Sequence, residues 1–343
     1  MCFSSQRTYY GGEAIVRMTT RLIAALGLAA ALPIHAESTP PLWLNLKPGS
    51  FHVGYRRFLM GTDALDIWYP AKNAGKAMTF RAYLHGTVGE LSTFLSHHGV
   101  PAASIAQLLD ASVYARSGAA VGAGRFPLVL IAQGNGEDAA DQSILSEFLA
   151  SHGYVVASVP SPTIAHPMTD EAQVGAFAEE QATAERASKA TSKRFRVRID
   201  RESIVGHSFG ARAALLLAMQ RPSLRAIVSL DGGIGTSTGV QSMESAPSFR
   251  AGAKLPPLLH IYETFDGFMR PDFRFIEGLN FRSLKLQQAA SVHHIHFTTY
   301  GFAAALLPEI ARVTKAEPGV GEGVVTVANS VLEFLDGQNL RRL

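Results

Sequence analysis

The feature that most constrains the fold is a series of short apolar runs that alternate with helix-like segments. Residues 126–132 (FPLVLIA) and 154–159 are continuous apolar runs, which are typical of strands buried on both faces of a parallel sheet. Between them, residues 138–152 carry apolar side chains at helical spacing, and Gly153 follows as a stop signal. Strands that alternate with helices predict a doubly wound α/β fold, a mainly parallel sheet flanked by helices.

The same alternation along the rest of the chain predicts the remaining elements. Strands are predicted at 51–58, 64–69, 203–205, 226–230, 258–262 and near 291–297, and helices at 104–115, 170–194, 209–220 and 324–335. We expect one α/β domain over residues 37–343. The long connections 71–125 and 233–285 are candidate cap insertions that would cover the site or line its pocket.

The N-terminal segment has the order of a secretory signal. Residues 17–21 are basic, residues 22–33 are apolar but too short to span a bilayer, and residues 34–36 end on alanine. We therefore expect residues 1–36 to be an extension plus signal peptide, with translation starting at Met1 or Met18, and no transmembrane segment. The mature protein would be periplasmic or extracellular; a buried N-terminal helix is the alternative.

Composition excludes several functional classes. Removal of residues 1–36 leaves 28 basic and 27 acidic residues, a net charge of +1, so no basic patch for nucleic acid is expected. Cys2 is the one cysteine, which excludes an internal disulfide framework and a multi-cysteine metal site. A hydrophobic content of 47% with 17% charged residues is that of a folded chain rather than a disordered one.

Residues 206–210 (GHSFG) match the pattern G-x-S-x-G, in which a serine occupies a tight turn between a strand and a helix. The pattern alone is weak, because residues 235–239 (GTSTG) match it as well. An apolar strand precedes Ser208 and a small-residue helix follows it, whereas residues 240–247 show no convincing amphipathic face. Context therefore makes Ser208 the candidate nucleophile.

A serine nucleophile needs a base, and the base needs a carboxylate that orients it. In a sheet of this kind the chain order is serine, then acid, then histidine, each just after a strand. Asp231 ends the strand predicted at 226–230, and Asp266 follows the strand predicted at 258–262. The order and spacing allow either Asp231 or Asp266 to be the acid that orients the base.

Three histidines, His293, His294 and His296, cluster near the last predicted strand, where the base is expected. Such a cluster also suits a metal, but no Asp, Glu or Cys at ligand spacing accompanies it, so zinc is the weaker interpretation. No metal or organic cofactor is expected.

The segment 133–136 (QGNG) follows a buried strand and exposes backbone N–H groups where a helix is expected to begin. We predict an oxyanion site formed by the backbone N–H groups of Asn135 and Phe209, with side-chain identity of little importance at both positions. With Ala139, the segment also fits a dinucleotide fingerprint. The next strand carries no acid for a ribose, so a nucleotide-binding oxidoreductase is a weaker alternative.

Taken together, these motifs resemble the α/β-hydrolase superfamily. The pieces that carry the resemblance are 68–71 (WYPA), 127–136 with 150–154 (ASHGY), 200–210 and 294–298 (HIHFT), over about residues 50–310. They are most similar to the branch of platelet-activating-factor acetylhydrolases, dienelactone-hydrolase-like proteins and cutinase-type esterases. One departure is Gln133-Gly134, where this family usually has His-Gly.

The resemblance implies specific site residues. Leu230-Asp231-Gly232 matches the position of the acid in the acetylhydrolase-like branch, while the cutinase-type branch implies Asp266; we favour Asp231. Family histidines often precede a phenylalanine by three residues, which favours His294 over His296.

The predicted function is that of a secreted serine hydrolase. It would cleave small-molecule or lipid-like carboxylic esters through an acyl-enzyme intermediate, with Ser208, Asp231 and His294 as the catalytic residues. A catalytically idle envelope-binding protein on the same scaffold is the alternative from another functional class.

Overall fold

The computed structural model describes residues 40–61, 63–165, 168–195, 197–263 and 270–340. Residues 39–343 form one compact unit. The predicted signal segment and the alternative acid Asp266 lie outside the described residues, so export stays a prediction. Within the described ranges, no helix combines the length and apolar character needed to cross a membrane.

Ten strands of the described chain form one sheet. They are β1 (His52–Met60), β2 (Asp63–Ala71), β3 (Lys76–Thr79), β4 (Ser112–Ser117), β5 (Phe126–Ala132), β6 (Val155–Ser158), β7 (Val197–His207), β8 (Ile227–Leu230), β9 (Leu258–Tyr262) and β10 (Leu284–Gln288). The strand order is β10-β9-β8-β7-β5-β6-β2-β1-β4-β3. Every pairing from β10 to β6 is parallel, while β2 pairs antiparallel with β1 and β6. The predicted α/β fold with a mainly parallel sheet is confirmed.

Helices cover both faces of this sheet. They are α1 (Val88–His97), α2 (Ala102–Asp110), α3 (Ser143–Ser151), α4 (Asp170–Arg194), α5 (Phe209–Gln220), α6 (Val240–Ser245), α7 (Arg274–Glu277), α8 (Thr299–Leu306), α9 (Pro308–Thr314) and α10 (Val320–Leu340). Val129 and Ile131 of β5 belong to the core on one face, and Leu128 and Leu130 belong to the core on the other. The continuous apolar run of β5 exists because successive side chains enter opposite cores.

In three places a predicted helix or strand covers residues that form another element or a loop. The helix predicted at 104–115 ends at Asp110, and residues 112–117 form β4, where Val113 and Ala115 are buried. The helix predicted at 138–152 begins only at Ser143. The strand predicted near 291–297 is a loop followed by a 3-10 helix, His294–Phe297.

The last strand of the described sheet, β10, was not predicted from the sequence. It is an edge strand that pairs only with β9, and its residues are exposed or partly buried. Because an edge strand faces water along one side, it lacks the continuous apolar run that identifies the central strands. The long connection 71–125 likewise contributes β3 and β4 to the opposite edge of the sheet.

The turn that carries Ser208 depends on close packing between α5 and β5. A Cβ atom placed on Gly210 would lie 2.1 Å from the carbonyl oxygen of Ala132 at the end of β5. Any side chain at position 210 would therefore push the start of α5 away from the sheet. The motif glycine allows the helix to begin directly over the carboxyl ends of the parallel strands.

Replacing this glycine is expected to destabilise the protein. Gly210→Ala should lower the free energy of unfolding by about 1–3 kcal/mol or more, because the methyl group overlaps backbone atoms that cannot rotate away. Urea unfolding followed by circular dichroism measures this effect. Gly175→Ala is the matched control: Gly175 is in α4 with open space around its Cβ position, so that change should be neutral or stabilising. Equal stability of the two variants would contradict the packing argument.

Candidate active site

Ser208 lies in a strained turn between β7 and α5. Its backbone angles are φ 51° and ψ −118°, a region that non-glycine residues rarely adopt and that costs about 1–3 kcal/mol. Two backbone hydrogen bonds hold the turn: the N–H of Ser208 donates to the carbonyl of Leu230 at 3.2 Å, and its carbonyl accepts from Gly233 at 3.0 Å. This conformation lifts the serine side chain above the carboxyl edge of the sheet.

The structure brings three of the predicted site residues into one hydrogen-bonded chain. The Nε2 atom of His294 lies 3.0 Å from Oγ of Ser208. The Nδ1 atom of the same ring lies 2.6 Å from Oδ2 of Asp231. Asp231 is buried, with 3% exposed surface, and its Oδ1 accepts a hydrogen bond from the backbone N–H of Glu263 at 3.0 Å.

His296 is placed differently from His294. Its Nδ1 accepts the backbone N–H of His293 at 3.1 Å, and its buried Nε2 has no hydrogen-bond partner among the described residues. Burial lowers the pKa of His296 to about 4. The ring is thus a neutral part of the turn that holds His294.

The second G-x-S-x-G match lacks the strand that the motif requires. Ser237 is exposed and follows a 3-10 helix at Gly233–Gly235. The segment after it, which shows no convincing amphipathic face, forms the short helix α6 from Val240. A helix without a preceding strand does not produce the tight turn seen at Ser208.

The two residues predicted as oxyanion donors line the cavity that contains Ser208. The N–H of Phe209 is the first of α5, so it has no acceptor within the helix and lies at the positive end of the helix dipole. Asn135 follows β5 and lines the same cavity as Ser208 and Phe209. Both residues therefore line the cavity that contains Ser208, and the use of their N–H groups as oxyanion donors stays a prediction.

The side chains at these two positions make contacts of their own, which the sequence did not predict. The Asn135 side chain accepts from the N–H of Ile164 at 2.7 Å and donates to the carbonyl of Ile164 at 3.1 Å. The Phe209 ring stacks on Phe177, with centroids 4.8 Å apart. These contacts hold the two backbone segments in place.

Sequence reasoning missed a partly buried ion pair next to the site. Nδ1 of His207 lies 2.6 Å from Oε1 of Glu137, and Nε2 of His207 donates to the backbone carbonyl of His294 at 3.1 Å. Burial alone would lower the pKa of His207, but the Glu137 carboxylate outweighs burial and raises it. The same attraction holds the pKa of Glu137 below its ordinary value despite burial. An imidazolium at position 207 can donate from both nitrogens.

Glu137 and Glu263 both support backbone atoms of the site. Glu137 accepts the N–H of Gly134 at 2.7 Å, which fixes the turn after β5. Glu263 directly follows β9 and accepts the backbone N–H of His294 at 2.9 Å. The position of Glu263 in the sequence could have indicated its role. It directly follows β9, which is next to β8, the strand that precedes Asp231.

A cavity of about 420 Å³ opens beside Ser208 and His294. Its other lining residues are Asn135, Glu137, Met168, Phe209, Arg212, Gly233, Thr236 and Thr238. Part of the predicted insertion 233–285 therefore lines the cavity, whereas no described residue of 71–125 does so.

The Glu137–His207 pair predicts a specific dependence of stability on pH. The raised pKa of His207 adds stability below its ordinary value of 6.5, which is lost as the pH rises through the raised pKa. The lowered pKa of Glu137 adds stability above its ordinary 4.5, which is lost as the pH falls through the lowered pKa.

Glu137→Gln should therefore destabilise the protein more at about pH 6 than at about pH 9, by about 1 kcal/mol or more. Urea unfolding at both pH values measures the difference. Glu333→Gln, at an exposed position of α10, is the control and should show no such dependence. An equal loss at both pH values for Glu137→Gln would show that the pair is not ionised.

No protein-family model matches the chain, and no curated protein matches it either. Among solved structures, a ferulic acid esterase from Streptomyces cinnamoneus aligns with 85% of this chain and 90% of its own, with a TM-score of 0.61 and 18% identity. A structure of DcsB in complex with its substrate analogue aligns with 63% of this chain and 92% of its own, but its TM-score of 0.43, at 14% identity, carries no argument. At 18% identity, the similarity to the esterase structure establishes a shared α/β fold.

Proposed function

We propose that this chain is an exported serine hydrolase that cleaves carboxylic esters through an acyl-enzyme intermediate. The observation that carries the proposal is the chain of contacts from Ser208 Oγ to His294 Nε2 at 3.0 Å and from His294 Nδ1 to Asp231 Oδ2 at 2.6 Å. A binding protein gains nothing from a serine held in a strained turn beside a base. The Streptomyces cinnamoneus ferulic acid esterase is an example of an esterase on this fold.

Acylation would begin with attack of Ser208 Oγ on the ester carbonyl. His294 Nε2 takes the hydroxyl proton, and Asp231 holds the Nδ1–H tautomer and balances the charge of the imidazolium. The N–H groups of Asn135 and Phe209 stabilise the negative oxygen of the tetrahedral intermediate. When the intermediate collapses, the imidazolium returns the proton to the leaving alcohol.

Deacylation would repeat these steps with water as the nucleophile. His294 takes a proton from water, the resulting hydroxide attacks the acyl-enzyme, and the proton returns to Ser208 as the carboxylic acid leaves. His294 must keep its position through both steps. The hydrogen bonds from His207 to its carbonyl and from its N–H to Glu263 hold its backbone on both sides.

Replacing the nucleophile tests the function directly. Ser208→Ala should lower kcat for p-nitrophenyl acetate by about 10³-fold or more while the protein remains folded, because the triad acts as a unit. Ser237→Ala, at the exposed serine of the second motif, is the matched control and should retain activity. A fluorophosphonate probe should label the wild type and Ser237→Ala but not Ser208→Ala. An unlabelled, inactive wild type would instead favour the envelope-binding alternative.

The choice of acid is tested by two matched substitutions. Asp231→Asn should lower kcat by about 10³–10⁴-fold, because an amide does not hold the required histidine tautomer. Asp266→Asn should leave kcat within about threefold of the wild type. Ester turnover at saturating substrate measures both variants. A larger loss at position 266 would assign the acid to Asp266.

A further inference from the structure

Arg212 is a buried cation in the wall of the cavity that contains Ser208. It lies in the first turns of α5, four residues after the serine, which is about one helical turn. Its exposed surface is 4%, and it lines the same cavity as Ser208 and His294. None of the steps proposed above uses this side chain.

The guanidinium has unused hydrogen-bonding capacity. Of its five N–H groups, one donates from Nη1 to the Gln173 side chain at 2.6 Å and one donates from Nη2 to the carbonyl of Thr238. The buried Nε has no partner among the described residues. Both acceptors are uncharged, so neither neutralises the cation.

No carboxylate within the described residues forms an ion pair with Arg212. Exposed Asp170 attracts it through space, but Asp170 accepts a hydrogen bond from Ser242 instead. Burial lowers the pKa of Arg212 to about 10, which leaves it protonated at neutral pH. Buried charges in proteins are normally paired, because desolvation is costly.

Two glycines make room for this cation. A Cβ atom on Gly233 would lie 2.4 Å from Nε of Arg212, and one on Gly239 would lie 2.4 Å from its Cζ. The backbone of the segment after β8 thus lies directly against the guanidinium. These glycines leave room for a large buried cation, and no described carboxylate forms an ion pair with it.

The two carboxylates next to the nucleophile each have a histidine partner. Glu137 is paired with His207, and Asp231 is paired with His294. Among the described residues that line the cavity, Arg212 is the cation without a carboxylate partner. An anion that entered the cavity would meet it about one helical turn from the nucleophile.

We propose that Arg212 binds a carboxylate carried by the substrate, so that the preferred substrates are anionic esters. These are half-esters of short dicarboxylic acids, or hydroxy acids acylated at the hydroxyl group with the carboxylate left free. This inference rests on the proposed ester hydrolysis at Ser208. The carboxylate would accept hydrogen bonds from the free N–H groups of the guanidinium, and its negative charge would balance the buried cation.

Substrate pairs of similar size test the proposal. Monoethyl glutarate is compared with ethyl pentanoate for an acyl-side carboxylate, and O-butyrylglycolate with ethyl butyrate for an alcohol-side carboxylate, by proton release in a pH-stat. In at least one pair, wild-type kcat/KM should be higher for the anionic ester by about tenfold or more. Arg212→Gln should abolish this preference and Arg212→Lys should keep part of it.

Arg186→Gln is the control, since Arg186 is a half-exposed residue of α4 that pairs with Asp63. It removes the same charge from the protein and should keep the wild-type preference. A ratio near one for both pairs in the wild type, or a preference that survives Arg212→Gln, would overturn the proposal.

A binding measurement separates this inference from the proposed function and from a folding defect. Glutarate should raise the Tm of the wild type and of Arg186→Gln more than pentanoate does, and this difference should disappear in Arg212→Gln. If none of the four esters is cleaved and no fluorophosphonate labels Ser208, the proposed hydrolysis is wrong. Glutarate binding still tests the role of Arg212 in that case. If neutral esters are cleaved but glutarate has no effect, the inference about Arg212 is wrong and the hydrolase proposal stands.

Discussion

The tight turn at Ser208 is the constraint on which the rest of the site depends. It places a serine with positive φ between β7 and α5, and α5 can start there only because Gly210 lets its backbone touch the end of β5. Since β5, β7 and β8 are parallel neighbours, the residues that follow them meet at one edge. The candidate nucleophile, acid and oxyanion donors therefore come from three adjacent strand ends.

Electrostatic pairing organises the groups around that turn. The Glu137–His207 pair and the Asp231–His294 pair lie side by side, with the two imidazole rings 4.8 Å apart. In each pair a carboxylate is hydrogen-bonded to a ring nitrogen. His207 also donates a hydrogen bond to the backbone carbonyl of His294. Arg212 differs from both histidines because its described partners are neutral. This imbalance is why we infer an anionic substrate.

Much of the fold follows from periodicity in the sequence. The strand β5 and the helices α4 and α5 have the predicted boundaries. Each carries a local signal: β5 is a continuous apolar run, α4 is rich in alanine and glutamate, and α5 is a small-residue stretch that ends before Pro222. The edge strand β10 and the strand β4, which is next to the opposite edge, were missed because half-exposed strands mix polar and apolar residues. The five-residue motif G-x-S-x-G likewise did not separate Ser208 from Ser237; the preceding strand did.

The α/β architecture and the strand–turn–helix around Ser208 could be predicted from local sequence, since both depend on residues close together in the chain. The family resemblance favoured His294 over His296, but the contact of His294 with Ser208 is seen only in three dimensions. The same holds for the positions of Glu137, His207, Glu263 and Arg212 around these residues. His294 lies 86 positions from Ser208, and His207 lies 70 positions from Glu137. Contacts of that range depend on strand order and on the path of each loop, which local patterns do not encode.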